Sequence, residues 1–340
     1  MERKIGIGII GFGRIGRLHA DNALVSDKVV LKGVSDLFID QIKGTKYEQA
    51  VNLVTDDPYE IINHDEIDAV FICANTDSHV DLITACASAG KHVFCEKPIS
   101  FNLEETKKAL EAVNQSGVKF QVGFNRRFDK HFRKVQETVR KGDIGDPHII
   151  KITSRDPETP PEAYIKRSGG MFMDMTIHDF DMIRYLSGKE VVEVSVKAAN
   201  LIDPKFGRND DVDTAIITLT FEDGSLGVID NSREAAYGYD QRIEVFGSKG
   251  VVSANNEQPT NVEISTKESV TVDHPKYFFL ERYHDAYVDE MEEFAKAILD
   301  DEPLLLTGED GAKAEQLAKA AKLSRDQNRP VSISELNVTI

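Results

Sequence analysis

Tryptophan is absent from the 340 residues, and cysteine occurs only at Cys73, Cys86 and Cys95. None of the three stands in a C-x-x-C pair, so neither a disulfide framework nor a paired-cysteine metal site is expected, and a reducing compartment fits. Long apolar runs are missing too: no stretch approaches the ~18 apolar residues of a membrane span. The opening MERKIGIGIIGFGRIG places charge before an apolar run, but that run is short and rich in glycine, and no small-residue cleavage site follows it. Positive charge is scarce, with 41 Lys and Arg against 58 Asp and Glu and a formal net charge of −17. Such a surface repels phosphate backbones and anionic lipid, which disfavours nucleic-acid and membrane partners. What is present is 41% hydrophobic side chains, enough for the cores of about two globular domains of a cytoplasmic protein.

Up to about residue 124, short β-branched runs (4–10, 29–36, 51–54, 69–74, 92–97 and 119–124) alternate with helical segments such as 78–89 and 103–116. Nearly continuous apolar strands alternating with helices predict an α/β fold with a doubly wound parallel sheet of Rossmann type. After Arg126 the rhythm changes. Helices are predicted over 128–141 and 171–186, extended runs over 190–273 with a hairpin turn at Asp223-Gly224, and helices over 283–299 and 309–324. This pattern predicts a second, α+β domain with a large, mainly antiparallel sheet. The domains are placed at 1–124 for dinucleotide binding and 125–340 for substrate binding and oligomerisation.

Gly11-Phe12-Gly13-Arg14-Ile15-Gly16 follows the first strand and opens a helix, the context in which G-x-G-x-x-G indicates a dinucleotide cradle. Gly11 permits the tight turn, Gly13 lets the backbone approach a pyrophosphate, and Gly16 lets helix pack on strand. Asp36, about 20 residues after the last glycine at the end of the second strand, suits the ribose hydroxyls; it would repel a 2′-phosphate, and no arginine follows it, so NAD is expected over NADP. CANTDSH (73–79) ends another strand, making Asn75, Thr76 and His79 candidate cofactor contacts, although Asn and Thr are also ordinary loop residues. Glu96-Lys97-Pro98 ends the next strand, where proline pins the chain and holds Lys97 beside a nicotinamide. In GGMFMDMTIHDFDMIRYL, Asp174, His178 and Asp181 stand at i, i+4 and i+7, one stripe of a continuous helix. A histidine between carboxylates suits a general base. The bland alternative is a surface Asp–His pair. A metal is a further rival, ranked lower because nicotinamide chemistry needs none.

GFGRIG, a strand-end aspartate, EKP and GG-x-x-x-D-x-x-x-H-D together resemble the Gfo/Idh/MocA oxidoreductases over nearly the whole chain. Residues 154–157, 169–182 and 235–250 resemble the inositol 2-dehydrogenase branch. The resemblance implies a catalytic set of Lys97, Asp174 and His178, with Lys97 on the reacting oxygen. It implies polar contacts to substrate from Arg127, Asp181 and Tyr237, with Tyr239 the less favoured tyrosine, and Asp156 is placed with them. Asn75 stands where many members carry proline. The implied reaction is NAD-dependent oxidation of a secondary hydroxyl of a cyclic polyol, myo-inositol to the 2-keto compound, by a homo-oligomer, a tetramer. The alternatives are another sugar or inositol-isomer dehydrogenase, or a non-enzymatic NAD-binding regulator, which would be expected to lack the lysine or the histidine.

Overall fold

The computed structural model describes residues 3–336 and 338. They form two compact units: residues up to Asn125 together with Asp285–Glu315, and Arg126–His284 together with the residues from Gln316 on. The chain passes from the first unit to the second after Asn125, and 285–315 returns to the first.

In the first unit β1 (Ile5–Ile10), α1 (Arg14–Val25), β2 (Val29–Ser35), α2 (Lys46–Ala50), β3 (Leu53–Thr55), α3 (Pro58–Ile62), β4 (Ala69–Ile72), α4 (His79–Ser88), β5 (His92–Glu96), α5 (Leu103–Ser116) and β6 (Phe120–Gly123) alternate. The sheet order is β3-β2-β1-β4-β5-β6, and every pair is parallel. All six residues of β1 are buried, as a central strand covered on both faces requires.

The returning segment completes this unit for a packing reason. The helix at His284–Leu299 carries Tyr287, Met291, Phe294 and Ala295 at i, i+4, i+7 and i+8, an apolar stripe. Met291, Phe294 and Ala295 join a core with Ile5, Ile7, Ile9, Phe71 and Phe94. Phe71 and Phe94 stack at 4.6 Å, and the Phe294 ring meets them edge-on at 5.8 and 6.0 Å. Truncating such a buried ring costs about 3–5 kcal/mol.

In the second unit α6 (Lys130–Arg140), β7 (Pro147–Arg155), α7 (Glu162–Ser168), α8 (Gly170–Asp174), α9 (Ile177–Ser187), β8 (Val191–Ala199), α10 (Pro204–Arg208), β9 (Thr214–Phe221), β10 (Leu226–Ser232), β11 (Asp240–Gly247) and β12 (Gly250–Ala254) follow in order. A two-stranded ribbon, β13 (Glu263–Ser265) and β14 (Val270–Val272), and a short helix α11 (Phe279–Arg282) come next; β15 (Val331–Ser332) closes the large sheet. The first unit's returning helix is α12, and α13 (Gly308–Gln327) follows it. The large sheet has the order β12-β11-β7-β10-β9-β8-β15. Only the β7–β10 pair is parallel, so the expected mainly antiparallel sheet is present. The β9–β10 hairpin turns at Gly224, whose φ of 85° explains the glycine of Asp223-Gly224. Helix α9 lies on one face of the sheet; a Cβ at Gly227 of β10 would stand 2.6 Å from Ile183 Cδ1. No described helix is long and apolar enough to cross a membrane.

Candidate active site

The first unit builds the cofactor side from backbone geometry. Gly11 has φ 91°, and a Cβ there would meet Ala74 N at 2.5 Å; a Cβ on Gly16 would lie 2.0 Å from the Gly11 carbonyl oxygen. Around Gly13 the same construction meets nothing within 4 Å. Two glycines are thus demanded by the protein's own packing, and the middle one faces open space that a ligand backbone would fill. The amides of Arg14, Ile15 and Gly16 open α1 at this point, where a helix N-terminus favours an anion. The residues present therefore fit a dinucleotide.

Asp36 is half-buried at the end of β2, accepting from Phe12 N–H (2.6 Å) and Phe38 N–H (2.8 Å). Its carboxylate is oriented against the glycine turn, and the residues after it, Leu37 and Phe38, are exposed and uncharged. Phe12 departs from the expected contacts. Its ring is buried and meets Tyr47 edge-on at 4.9 Å, and its amide is committed to Asp36. His79 departs too. It is buried, with Nδ1 2.8 Å from the Pro98 carbonyl oxygen and Nε2 3.0 Å from that of Ala74. Both ring nitrogens meet backbone carbonyls, so His79 ties the loop after β4 to the loop after β5. Asn75 is exposed and Thr76 half-buried at the start of α4, in reach of solvent as a binding edge requires.

Glu96 ends β5 with Oε1 2.9 Å from His19 Nε2 on α1. His19 is fully buried among Phe71, Phe94 and Tyr287. Glu96 therefore anchors the strand end from which the half-buried Lys97 projects.

In the second unit the structure revises the expected stripe. The amides of Met175 and Thr176 both reach the Met171 carbonyl at 2.9 Å, and the helix restarts at Ile177. The Thr176 hydroxyl donates to Asn231 Oδ1 on β10 at 2.6 Å, which fixes the break. Sharing one carbonyl between successive amides inserts an extra residue into the helical register, so Asp174 and Asp181 do not share one face. Asp181 is fully buried and accepts from Arg127 Nε (2.9 and 3.1 Å) and Nη2 (2.6 Å). Arg127 also lies over the Tyr185 ring at 5.0 Å. Two side chains expected to hold substrate hydroxyls thus hold each other.

Asp174 is clasped by groups that motif reading missed. Arg233 Nη2 donates to its Oδ2 at 3.0 Å and the Tyr164 hydroxyl to its Oδ1 at 2.7 Å. The same guanidinium reaches Asp156 Oδ2 at 3.3 Å. Burial, with the Asp174 charge nearby, holds Asp156 above the usual carboxylate range despite Arg233. His178 sits half-buried at the start of α9, one turn beyond Asp174. Arg126 forms a further buried pair, with Asp179 at 2.5 Å, and Asn231 donates to the same carboxylate at 2.9 Å. The two tyrosines of the AAYGYD stretch sit in different surroundings. Tyr237 is 41% exposed, donating to Asp240 (2.5 Å) and accepting from Arg155 (2.8 Å). Tyr239 is buried within electrostatic reach of Arg126, Asp156 and Asp179, with burial pushing its hydroxyl pKa up. The only sequence signal for Arg233 was its place in SREAAYGYD, beside the stretch already singled out.

A doubly wound sheet with an open glycine turn and an oriented strand-end carboxylate defines a dinucleotide-binding protein. Comparison with known proteins agrees. Residues 5–124 match the NAD-binding Rossmann-fold domain of an oxidoreductase family, GFO/IDH/MocA, and residues 132–253 match that family's C-terminal domain. The chain is 51% identical over 333 residues to an uncharacterized oxidoreductase of Bacillus subtilis, covering 98% of each. It is 48% identical over 330 residues to the myo-inositol 2-dehydrogenase of Thermotoga maritima, covering 97% of this chain and 99% of that one. The crystal structure of scyllo-inositol dehydrogenase from Lactobacillus casei with bound NAD(H) and scyllo-inositol superposes with a TM-score of 0.91 at 31% identity, over 98% of this chain and 100% of that one. The chain belongs to the GFO/IDH/MocA family of oxidoreductases. It is an NAD-dependent dehydrogenase.

Proposed function

We propose that the protein oxidises one secondary hydroxyl of a cyclic polyol, converting myo-inositol to the 2-keto compound, with His178 as general base. The observation that carries this reading is the clasp on Asp174: a carboxylate fixed by Arg233 and Tyr164 one turn before a half-buried histidine. Bound NAD supplies the acceptor for the carbon-bound hydrogen. His178 takes the hydroxyl proton, and Asp174 favours the imidazolium that results. Lys97 donates to the reacting oxygen and stabilises its growing negative charge. Asp156 and Tyr239 hold other hydroxyls of the ring, whose pattern a polar pocket discriminates because a mismatched isomer leaves buried groups unpaired. Arg127 and Asp181 brace α9 from behind. The similarity to a myo-inositol 2-dehydrogenase supports the substrate; the likeness to a scyllo-inositol enzyme makes that isomer the second reading.

The large sheet supports self-association in a cytoplasmic homo-oligomer, a tetramer. Ile216, Leu226, Phe246 and Val251 stand exposed on its strands, and a second copy would cover them. A monomeric mass by light scattering would count against this.

The function is tested by assaying NADH formation with myo-, scyllo- and chiro-inositol and glucose, each with NAD and NADP. Myo-inositol with NAD is expected to give the highest kcat/KM, at least about tenfold above NADP, a difference of about 1.4 kcal/mol. No turnover of any polyol would leave only the regulator, and equal use of both cofactors would remove the role given to Asp36.

A further inference from the structure

The segment carrying Lys97 is fastened on both sides. Upstream, Glu96 meets His19, and at Pro98 the carbonyl meets His79. Downstream, the amides of Ile99 (2.5 Å) and Ser100 (3.3 Å) both donate to Oε1 of Glu315 on α13, a side chain with no solvent exposure. The other oxygen, Oε2, lies 2.6 Å from the Thr106 hydroxyl on α5, which itself lies 3.3 Å from the Asn102 carbonyl oxygen.

The hydrogen-bond network around Glu315 accommodates a proton on its carboxyl group. A threonine hydroxyl has one proton and the Asn102 carbonyl can only accept. If Thr106 donates to Asn102, the proton in the short Oε2 contact comes from the acid. Every group is then satisfied: Oε2–H to Thr106, Thr106 O–H to Asn102, and Oε1 accepting from the two amides. An ionised Glu315 would be a buried charge with no cation paired to it among the described residues. The elements around it bring a hydroxyl from α5, two amides from the loop after β5, and the buried Cys95 thiol from β5, whose pKa burial raises.

We propose that Glu315 is a positioning residue for Lys97, acting as a neutral carboxylic acid that fixes the two residues following Pro98. Burial pushes its pKa up to about 8 even though the Ile99 and Ser100 amides donate to it, which favours the protonated acid. The proposal rests on the reading of Lys97 as the group on the reacting oxygen.

Glu315→Gln, Glu315→Leu and Lys97→Ala, each in the full-length enzyme, separate the possibilities. Glutamine reproduces the neutral acid, its amide donating to Thr106 and its carbonyl accepting from the loop. At pH 7 it should keep kcat within about twofold. Relative to this variant, the wild type should lose thermal stability as pH rises from the ordinary glutamate value of 4.5 to about 8, then level off, because only the unfolded state ionises in that window. Glu315→Leu fills the space without an acceptor; its kcat should fall at least about tenfold with KM for NAD moved less than about threefold, the mark of a misplaced reacting group. Glutamine as damaging as leucine, a wild-type stability curve parallel to that of Glu315→Gln, or an unchanged kcat in Glu315→Leu would each overturn the proposal. Should the leucine variant fail to fold, Thr106→Val supplies the kinetic arm, with the same kcat-selective loss expected and an unchanged kcat counting against the proposal. Near-normal kcat in Lys97→Ala would instead remove the role given to the lysine, while the pH–stability comparison still reports on the proton of Glu315.

Discussion

Buried carboxylates are managed in opposite ways in the two units. In the second, most meet arginines, Asp179 with Arg126, Asp181 with Arg127, Asp174 and Asp156 with Arg233, and Asp129 with Arg282, while Asp211 and Asp213 accept from backbone amides. In the first, Glu96 faces a histidine, while Glu290 and Glu315 are fully buried with no cation paired to them among the described residues. Burial and the nearby Glu96 charge push Glu290 well up, and neither of its oxygens has a hydrogen-bond partner. The second unit pairs most of its buried acids with arginines, whereas in the first burial favours the protonated form of Glu290 and Glu315. An ion pair keeps a permanent field where a proton must move during reaction, whereas a neutral acid fixes backbone without placing a charge beneath the cofactor.

The contrast is broken hardest at the proposed base. His178→Ala should lower kcat/KM by about 10²–10⁴ and abolish the acidic limb of the pH–rate profile. Asp174→Asn, which removes the charge favouring imidazolium, should shift that limb to lower pH and slow the reaction. Profiles measured with and without chelator settle the metal rival, and an acidic limb surviving in His178→Ala would reassign the base.

Next in size is the Arg127–Asp181 pair. Arg127→Met alone leaves a buried aspartate unpaired and should cost about 3–5 kcal/mol in urea unfolding. Adding Asp181→Leu should recover most of that loss, since an apolar pair of similar volume avoids the desolvation of both ions. Additive losses would mean that the two side chains do not depend on each other.

The smallest effect is expected at the opposite pole. Glu290→Gln should change stability at pH 7 by less than about 1 kcal/mol or raise it, because burial and the nearby Glu96 charge both favour the protonated acid, which the neutral amide mimics. Because the wild-type group is raised in the folded state, any advantage of glutamine should grow as pH rises above 4.5 and vanish below it. A large loss in Glu290→Gln at neutral pH would show that this carboxylate is charged, and the contrast between the units would fail.

Features dictated by near neighbours in sequence were legible. The glycine turn, Asp36 and the β5 exit depend on residues a few positions apart or on strand order, and their spacing announced them. The break at Met175–Thr176 was not, because it depends on Asn231, 55 residues from Thr176. Pairing of Arg127 with Asp181 and of Arg233 with Asp174 likewise spans more than 50 residues, so helical periodicity had no access to it. Tyr237 and Tyr239 are two residues apart, and the Gly238 between them has φ 117°, which upsets the alternation that would tell them apart. The return of α12 to the first unit was hidden for a different reason. Its apolar stripe was visible in the sequence, but a stripe does not name the surface it will cover.

That return has a consequence for synthesis. The sheet of the first unit is complete in the chain by Gly123, yet Met291, Phe294 and Ala295 of its core leave the ribosome more than 150 residues later. At about 5–20 residues per second, the face beneath α12 waits on the order of ten seconds for its cover. During that interval Phe71 and Phe94 border an apolar surface open to neighbouring chains.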